Sequence, residues 1–277
     1  MFRTTILVLV TLMTSMQARE SITGKDSAYI NTCIKAVTDD DYFKNFRSMT
    51  SYWPILDFVE GTLPFVHYIT NCASPEIRSK LPIFNRLECI GNPMTEFYPE
   101  VGNFSGATLR YIAIADEIGK LFDLPTDAKI VEVGGGFGGQ CYVLSQLQPW
   151  SRYYIYDLPA PSALTIKVLT MLNVTKVINI PAAAPLRENQ IDLFISNYAY
   201  SECDKETQLN YFERLIKKAK RGYIIYNQIS HIFSIDSLTP GEFTDLLEKN
   251  GIYANVSNES IPTGSNTKLI TWDVTKQ

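Results

Sequence analysis

Glu132, Gly134, Gly136, Gly138 and Asp157 are the residues whose types and spacing could do chemistry. The run Ile130-Val-Glu-Val-Gly-Gly-Gly-Phe-Gly-Gly139 reads as a strand, Lys129 to Val133, that turns through glycines into a helix over Gln140 to Leu147. Glycine admits positive φ and lets a ligand approach backbone amides without meeting a Cβ. The helix that follows offers unpaired N–H groups and the positive end of its dipole. A nucleotide-type cofactor fits such a turn at the carboxyl end of a first strand. The segment also satisfies GxGxxG, which alone is a weak signal.

The residues around the turn bear on which cofactor. Glu132 lies two residues before the first glycine, where a carboxylate suits the ammonium of a methionine moiety and would repel a pyrophosphate. Asp157 closes a second strand, Tyr153 to Tyr156, where an acid bonds a ribose diol of either cofactor; Leu158 beside it is assigned to the same site. A fourth strand in Asp192-Leu-Phe-Ile-Ser-Asn-Tyr198 ends in polar residues at the sheet's carboxyl edge. Asn197 is placed beside the cofactor there, and Tyr198 beside the substrate. S-adenosylmethionine is the expected cofactor. The bland alternatives are a helix-capping role for Glu132 and a turn role before Pro159 for Asp157.

The elements that must position these residues alternate from Ser105 onward. Thr108 to Phe122 carries Tyr111, Ile114, Ala115, Ile118, Leu121 and Phe122 at helical spacing. Further strands are predicted over Lys176 to Ile180, Asp192 to Ser196 and Tyr223 to Asn227. Helices are predicted over Ala163 to Leu172, Lys205 to Ala219 and Pro240 to Asn250, the second presenting Leu209, Phe212, Leu215 and Ile216 on one face. Two late strands, Tyr253 to Val256 and Lys268 to Val274, can pair as a hairpin around Pro262-Thr-Gly264. Alternating strands and helices imply an α/β fold with a doubly wound, mostly parallel sheet of seven strands. Ending on a strand pair points away from a full dinucleotide fold. Residues 19–104 read as a helical cap, in which Asp39-Asp-Asp41 suits a helix start and Pro54, Pro64, Pro75 and Pro82 cut the chain into short pieces. Residues 105–277 read as the cofactor-binding domain.

The chain has 277 residues, 45% hydrophobic and 12% aromatic, enough for a substantial core, and a net charge of −4. That balance argues against nucleic acid as a main partner, because phosphate binding needs a basic face. Residues 1–18 hold Arg3, a short apolar run from Ile6 to Met13 and Ala18 before Arg19, and read as a secretory signal peptide. The run is shorter than the ~20 residues of a membrane span, so an integral membrane protein is not expected. The alternative is an apolar N-terminal helix or a wrongly assigned start, and with it a cytoplasmic protein. Sequons at Asn103, Asn173, Asn255 and Asn258 decide little in a chain rich in Asn, Ser and Thr. The five cysteines contain no CxxC, so zinc is a poor reading. Cys141 reads as a small buried hydrophobe. A disulfide among Cys33, Cys72 and Cys89 is open if the chain is secreted.

The chain resembles the sugar O-methyltransferase family of class I S-adenosylmethionine-dependent methyltransferases. The resemblance rests on Ile90-Gly-Asn-Pro93, Thr108-Leu-Arg-Tyr111, Val131-Glu-Val-Gly-Gly-Gly-Phe-Gly-Gly139 and Tyr156-Asp-Leu-Pro159. It continues in Asp192-Leu-Phe-Ile-Ser-Asn-Tyr-Ala-Tyr-Ser-Glu202, in Gly264-Ser-Asn-Thr-Lys-Leu-Ile-Thr-Trp272 and in Asp41-Tyr-Phe-Lys-Asn-Phe-Arg47. It covers nearly everything after the leader. The glycine turn is shared by many methyltransferases; its combination with Ser-Asn-Tyr-x-x-Ser-Glu is more specific. The resemblance implies a methyl donor at Glu132, Gly134, Gly136 and Asp157. Ile178-Asn-Ile-Pro-Ala182 departs from methyltransferases at large in lacking an acid after strand three.

The expected activity is methyl transfer to a hydroxyl of a small-molecule or glycan acceptor. Much of such catalysis can be positioning and desolvation, but a sugar hydroxyl is a weak acid and gains from a general base. Glu202, after strand four, is the first candidate, against a plain solvated acid at a helix N-terminus. His231, after strand five, is the second, against an ordinary loop histidine; His67 reads as structural. Arg110 reads equally as an acceptor contact or a cap-to-core salt bridge. Glu202 and Asp204 make a weak metal pair, and no metal is assigned. The rival readings are an NAD-dependent oxidoreductase and an exported, inactive methyltransferase-like binding protein.

Overall fold

The computed structural model describes residues 21–56, 61–264 and 266–276. The leader expected over residues 1–18 lies outside the described residues. Seven strands form one sheet: β1 Lys129–Val133, β2 Arg152–Asp157, β3 Val177–Pro181, β4 Leu193–Asn197, β5 Arg221–Tyr226, β6 Asn255–Asn258 and β7 Lys268–Asp273. Their order across the sheet is β3-β2-β1-β4-β5-β7-β6. The first five run parallel, and β7 enters antiparallel between β5 and β6. This is the seven-stranded, mostly parallel class I methyltransferase arrangement expected from the resemblance. The order reverses at β1, so β1 and β4 diverge to opposite sides and open a crevice at their carboxyl ends.

Burial follows that order. Every residue of the central β5 is buried, whereas the edge strands β3 and β6 have no buried residue, as expected of a sheet covered on both faces. Side chains alternate between two cores. Ile130, Tyr153, Ile155, Leu193, Ile195, Tyr223 and Ile225 point to one face; Val131, Val133, Tyr154, Tyr156, Phe194, Ile224 and Tyr226 point to the other.

The helices that bear on the site are α1 Ser27–Thr38, α2 Gly106–Leu121, α3 Gly139–Ser145, α4 Pro159–Met171, α5 Lys205–Arg214 and α6 Pro240–Lys249, with other helical pieces among them. The first sheet face shares a continuous core with the N-terminal helices through Tyr29, Phe46, Tyr52, Ile69 and Phe84. Helix α1 packs along α4, and α2 is buried on every side from Ala107 to Asp116. Being covered twice explains why the single apolar stripe expected there is too narrow; Leu121, at the helix end beyond that covered stretch, is 39% exposed. Asp39 caps Asp40–Phe43 by accepting the Asp41 and Tyr42 N–H groups, as its carboxylate run suggests. Pro64, Pro75 and Pro82 sit in the first turns of Leu63–Asn71, Pro75–Ser79 and Leu81–Phe84. They therefore open helices, where no N–H is needed.

Two expectations need correction, and the open disulfide question has an answer. A two-stranded hairpin, Glu96–Tyr98 with Gly102–Phe104, interrupts the otherwise helical N-terminal part. Helix α5 stops at Arg214 and a 3₁₀ turn, Ile216–Lys218, follows, so Leu209 is 38% exposed while Phe212, Leu215 and Ile216 are buried. All five cysteines are free, with Cys33 buried and Cys72 and Cys89 exposed, so no disulfide joins them. Among the described residues no helix is long and apolar enough to cross a membrane.

Candidate active site

Gly134, Gly136 and Gly138 take φ values of +81°, +58° and +93°, a region that a Cβ strains. The Gly134 N–H donates to the Tyr156 carbonyl at 2.9 Å and the Gly138 N–H to that of Gly135 at 2.8 Å. Gly138 is the left-handed N-cap of α3. A Cβ on Gly134 would overlap the Cβ of Ala199, and one on Gly136 would press Leu56 at 3.3 Å. The turn is thus packed against the strand-four loop and the N-terminal part.

Asp157 closes β2 opposite this turn. Its Oδ2 accepts the Gly136 N–H at 3.0 Å and its Oδ1 the Leu158 N–H at 2.7 Å. Burial pushes its carboxyl up to about 6, and those backbone N–H groups pull it back down. Each carboxylate oxygen still has an acceptor site to offer. Gly134, Asp157, Leu158, Val133, Tyr156 and Ala199 line a cleft of about 470 Å³, mouth included. Ser21, Thr23, Thr207 and Tyr211 line it too, and the sequence reading missed them. The segment at Ser21 is held by a β-bridge to Cys203 and by the Ile22 N–H on the Glu202 carbonyl at 3.3 Å.

Glu132 is placed differently from its expectation. Val133 lines the cleft, so by strand alternation Glu132 points to the opposite face. It is 1% exposed and accepts the Tyr153 hydroxyl at 2.9 Å. Burial raises its carboxyl to about 8, with the Tyr153 bond working against that and the Asp157 charge adding to it. It is a core acid beneath the turn, not a wall of the cleft.

The end of β4 is polar as anticipated. The Ser196 hydroxyl donates to the Val133 carbonyl at 2.9 Å and accepts the Tyr200 N–H at 3.0 Å, which ties β1 to the strand-four loop. The Asn197 amide donates to Gln140 Oε1 at 3.3 Å, and its Oδ1 is buried with no hydrogen-bond partner among the described residues. Such an orphan acceptor calls for a donor. Tyr198 has φ +71°, unusual for a bulky residue and a point of backbone strain. Its hydroxyl lies 2.8 Å from Thr263 Oγ1 and donates to Glu259 Oε1 at 3.4 Å.

Glu202 is half-buried, and its Oε1 accepts the Asn227 amide at 2.8 Å. Asn227 is fixed in turn, its Oδ1 accepting the Ser201 hydroxyl at 2.9 Å. Burial raises the Glu202 carboxyl, and Asn227 and the Arg110 charge draw it down. Arg110 is buried on α2; it donates to the Leu56 carbonyl at 3.2 Å, and its guanidinium is 5.3 Å from the Tyr198 ring centroid. The structure therefore packs Arg110 on Tyr198, and the Arg110 charge reaches Glu202. His231 it leaves apart: the side chain is exposed on the 3₁₀ turn Ile229–Phe233, outside the Glu202–Asn227 network. Asp204 caps α5 by accepting the Thr207 N–H at 2.7 Å, which occupies the partner considered for a metal pair. His67 is exposed, its ring nitrogen 3.2 Å from the Asn71 amide. Asn227, Ser201, Gln140, Glu259 and Thr263 were missed. Asn227 carries a readable signal, since it directly follows β5 at the sheet edge where Asn197 closes β4.

No protein-family model and no curated protein matches the chain. Among solved structures it is similar to a SAM-dependent methyltransferase from Aquifex aeolicus, at 18% identity over 57% of this chain and 88% of that one, with a TM-score of 0.46. It is also similar to the mitomycin 7-O-methyltransferase MmcR, at 17% identity over 61% of this chain and 57% of that one, TM-score 0.44. The pyocyanin biosynthetic protein PhzM is a third, at 16% identity over 76% of this chain and 72% of that one, TM-score 0.44.

Proposed function

We propose that the protein is an S-adenosylmethionine-dependent O-methyltransferase acting on a hydroxyl of a sugar or glycan. The observation that carries this is the juxtaposition, at the carboxyl edge of β1, β2 and β4, of a glycine-and-aspartate cleft and a half-buried glutamate held by Asn227. The cleft residues fit the donor. Gly134 presents no side chain to the cleft and Asp157 retains acceptor sites there suited to a ribose diol, while at the end of β4 the buried Asn197 Oδ1 has no hydrogen-bond partner among the described residues. The antiparallel β7 stands where a dinucleotide fold would place a second parallel half, which speaks against the NAD-dependent alternative.

Bound there, S-adenosylmethionine supplies an electrophilic methyl on a sulfonium, whose displacement leaves a neutral thioether. Glu202 takes the proton of the acceptor hydroxyl as its oxygen attacks. A carboxyl raised by burial is a better base than an exposed one. Asn227 holds the carboxylate in one orientation, and Arg110 and Tyr198 form the wall against which the acceptor is aligned. His231, exposed on its turn, is the weaker choice for that role. A separate proposal concerns the leader: residues 1–18 are removed and the mature protein begins near Arg19, and an intact Met1 in N-terminal sequencing from the native host would overturn it.

The testing experiment is ligand-dependent melting followed by transfer of labelled methyl. S-adenosylhomocysteine should raise the melting temperature and NAD should not. Label from the donor should then appear on a glycoside. Stabilisation by NAD alone would overturn the reading, and a donor bound but never consumed would favour the inactive binding protein.

A further inference from the structure

The acceptor wall is built from three distant stretches of chain. Glu202 comes from the turn after β4, Arg110 from α2 and Glu259 from the connection between β6 and β7. Glu259 is held on two sides: its Oε2 accepts the Thr263 N–H at 2.9 Å and the Thr263 hydroxyl at 2.8 Å, and its Oε1 faces the Tyr198 hydroxyl at 3.4 Å. Tyr198 in turn stacks beside the Arg110 guanidinium and is held at φ +71°. Arg110 and Glu259 therefore meet on Tyr198, one at its ring and the other at its hydroxyl, and burial raises the Glu202 and Glu259 carboxyls while the Arg110 charge draws both down. Among the described residues of this wall, carboxylates outnumber cations. A site of that sign repels an incoming carboxylate or phosphate, and repulsion strengthens as water leaves. It offers hydroxyl groups several fixed acceptors instead.

We infer that Glu259 is a positioning residue for the acceptor, acting through Tyr198 and Thr263, and that the site admits a neutral polyhydroxylated acceptor while rejecting one with a carboxylate or phosphate beside the reacting hydroxyl. This rests on the methyl-transfer reading above. Specificity here comes from a repulsive element as much as an attractive one. Tyr198 is the link, because its ring touches the arginine side of the wall and its hydroxyl the Glu259 side.

The test uses the full chain with tritiated methyl donor and three acceptor sets: neutral methyl hexosides, their 6-phosphates, and the matching uronates. Wild type should transfer to neutral members about 100-fold better than to anionic ones. Glu259→Gln should raise KM for the neutral acceptor about tenfold, leave kcat and S-adenosylhomocysteine affinity within about twofold, and narrow the neutral-to-anionic ratio about tenfold. Tyr198→Phe keeps the ring and removes the hydroxyl; it should raise the same KM, and it serves if Glu259→Gln does not fold. Wild type that methylates the anionic sets as readily, or none of the three while binding S-adenosylhomocysteine, overturns the inference. So do folded variants with unchanged KM and selectivity. Wild type that binds no S-adenosylhomocysteine overturns the methyl-transfer reading itself, and the inference with it.

Discussion

Glu132→Gln separates a core acid from a donor-binding acid. Glu132 is 1% exposed and its carboxyl is raised by burial to about 8. In the unfolded chain a glutamate titrates near 4.3. Between those two values the folded protein holds a proton that the unfolded chain has released. Stability must then fall as pH rises, by up to about 1.4 kcal/mol per pH unit. Glu132 alone should remove about 2–3 kcal/mol between roughly pH 5 and pH 7. Glutamine has the same shape, can still accept from the Tyr153 hydroxyl and does not titrate. Its amide N–H groups bring an offset of about 1–3 kcal/mol if left unpaired, but that offset is independent of pH. Asp157, raised to about 6, slopes the same way in both proteins and cancels in their difference. Urea unfolding followed by tryptophan fluorescence, at several values from about pH 5 to pH 8, should show Glu132→Gln gaining on wild type as pH rises. Parallel profiles would refute the buried, protonated acid. S-adenosylhomocysteine affinity, measured by calorimetry on the same variant, should be unchanged. A large loss there would return Glu132 to the cleft.

Other outcomes follow from the same geometry. Asp157→Ala should weaken S-adenosylhomocysteine binding by roughly 1.5–3 kcal/mol in calorimetry, with the fold retained; normal binding would make it only the residue that fastens the turn. Gly134→Ala should lower the unfolding midpoint through both its φ of +81° and its overlap with Ala199, and adding Ala199→Gly should relieve only the overlap, leaving a partial deficit. Glu202→Gln should cut turnover on a confirmed acceptor about 10²–10⁴-fold with donor affinity unchanged, and should remove the acid-side fall of the pH–rate profile. A change of less than tenfold would leave alignment and desolvation to carry the reaction.

The strands were legible because their signals are local. A short, mainly apolar run marked β1 from Lys129 to Val133, and polar endings marked the carboxyl edge where Asp157 and Asn197 lie. The glycine turn was legible for the same reason: positive φ is a property of single residues. The direction of Glu132 was readable in principle, since Val131 and Val133 flank it on one strand and share the other face. It was overridden by the attraction of a carboxylate near a cationic donor. The N-terminal part was harder. Its prolines read as breaks, yet they open helices, and the Glu96–Tyr98 hairpin is too short for periodicity to show.

From the amino-acid order alone came the element sequence, the cofactor turn and the candidates Arg110, Tyr198 and Glu202. Tertiary structure decided which of them meet. Glu259 reaches Tyr198 across 61 residues of chain, and Asn227 reaches Glu202 across 25. No local pattern encodes such pairs, because they exist only once β5, β7 and the strand-four loop are packed edge to edge. Exposure was decided there too. Glu132 is sealed in the core and His231 left at the surface by the layers that cover them. A side chain's ionisation and its role depend on that covering, which close packing of distant segments creates.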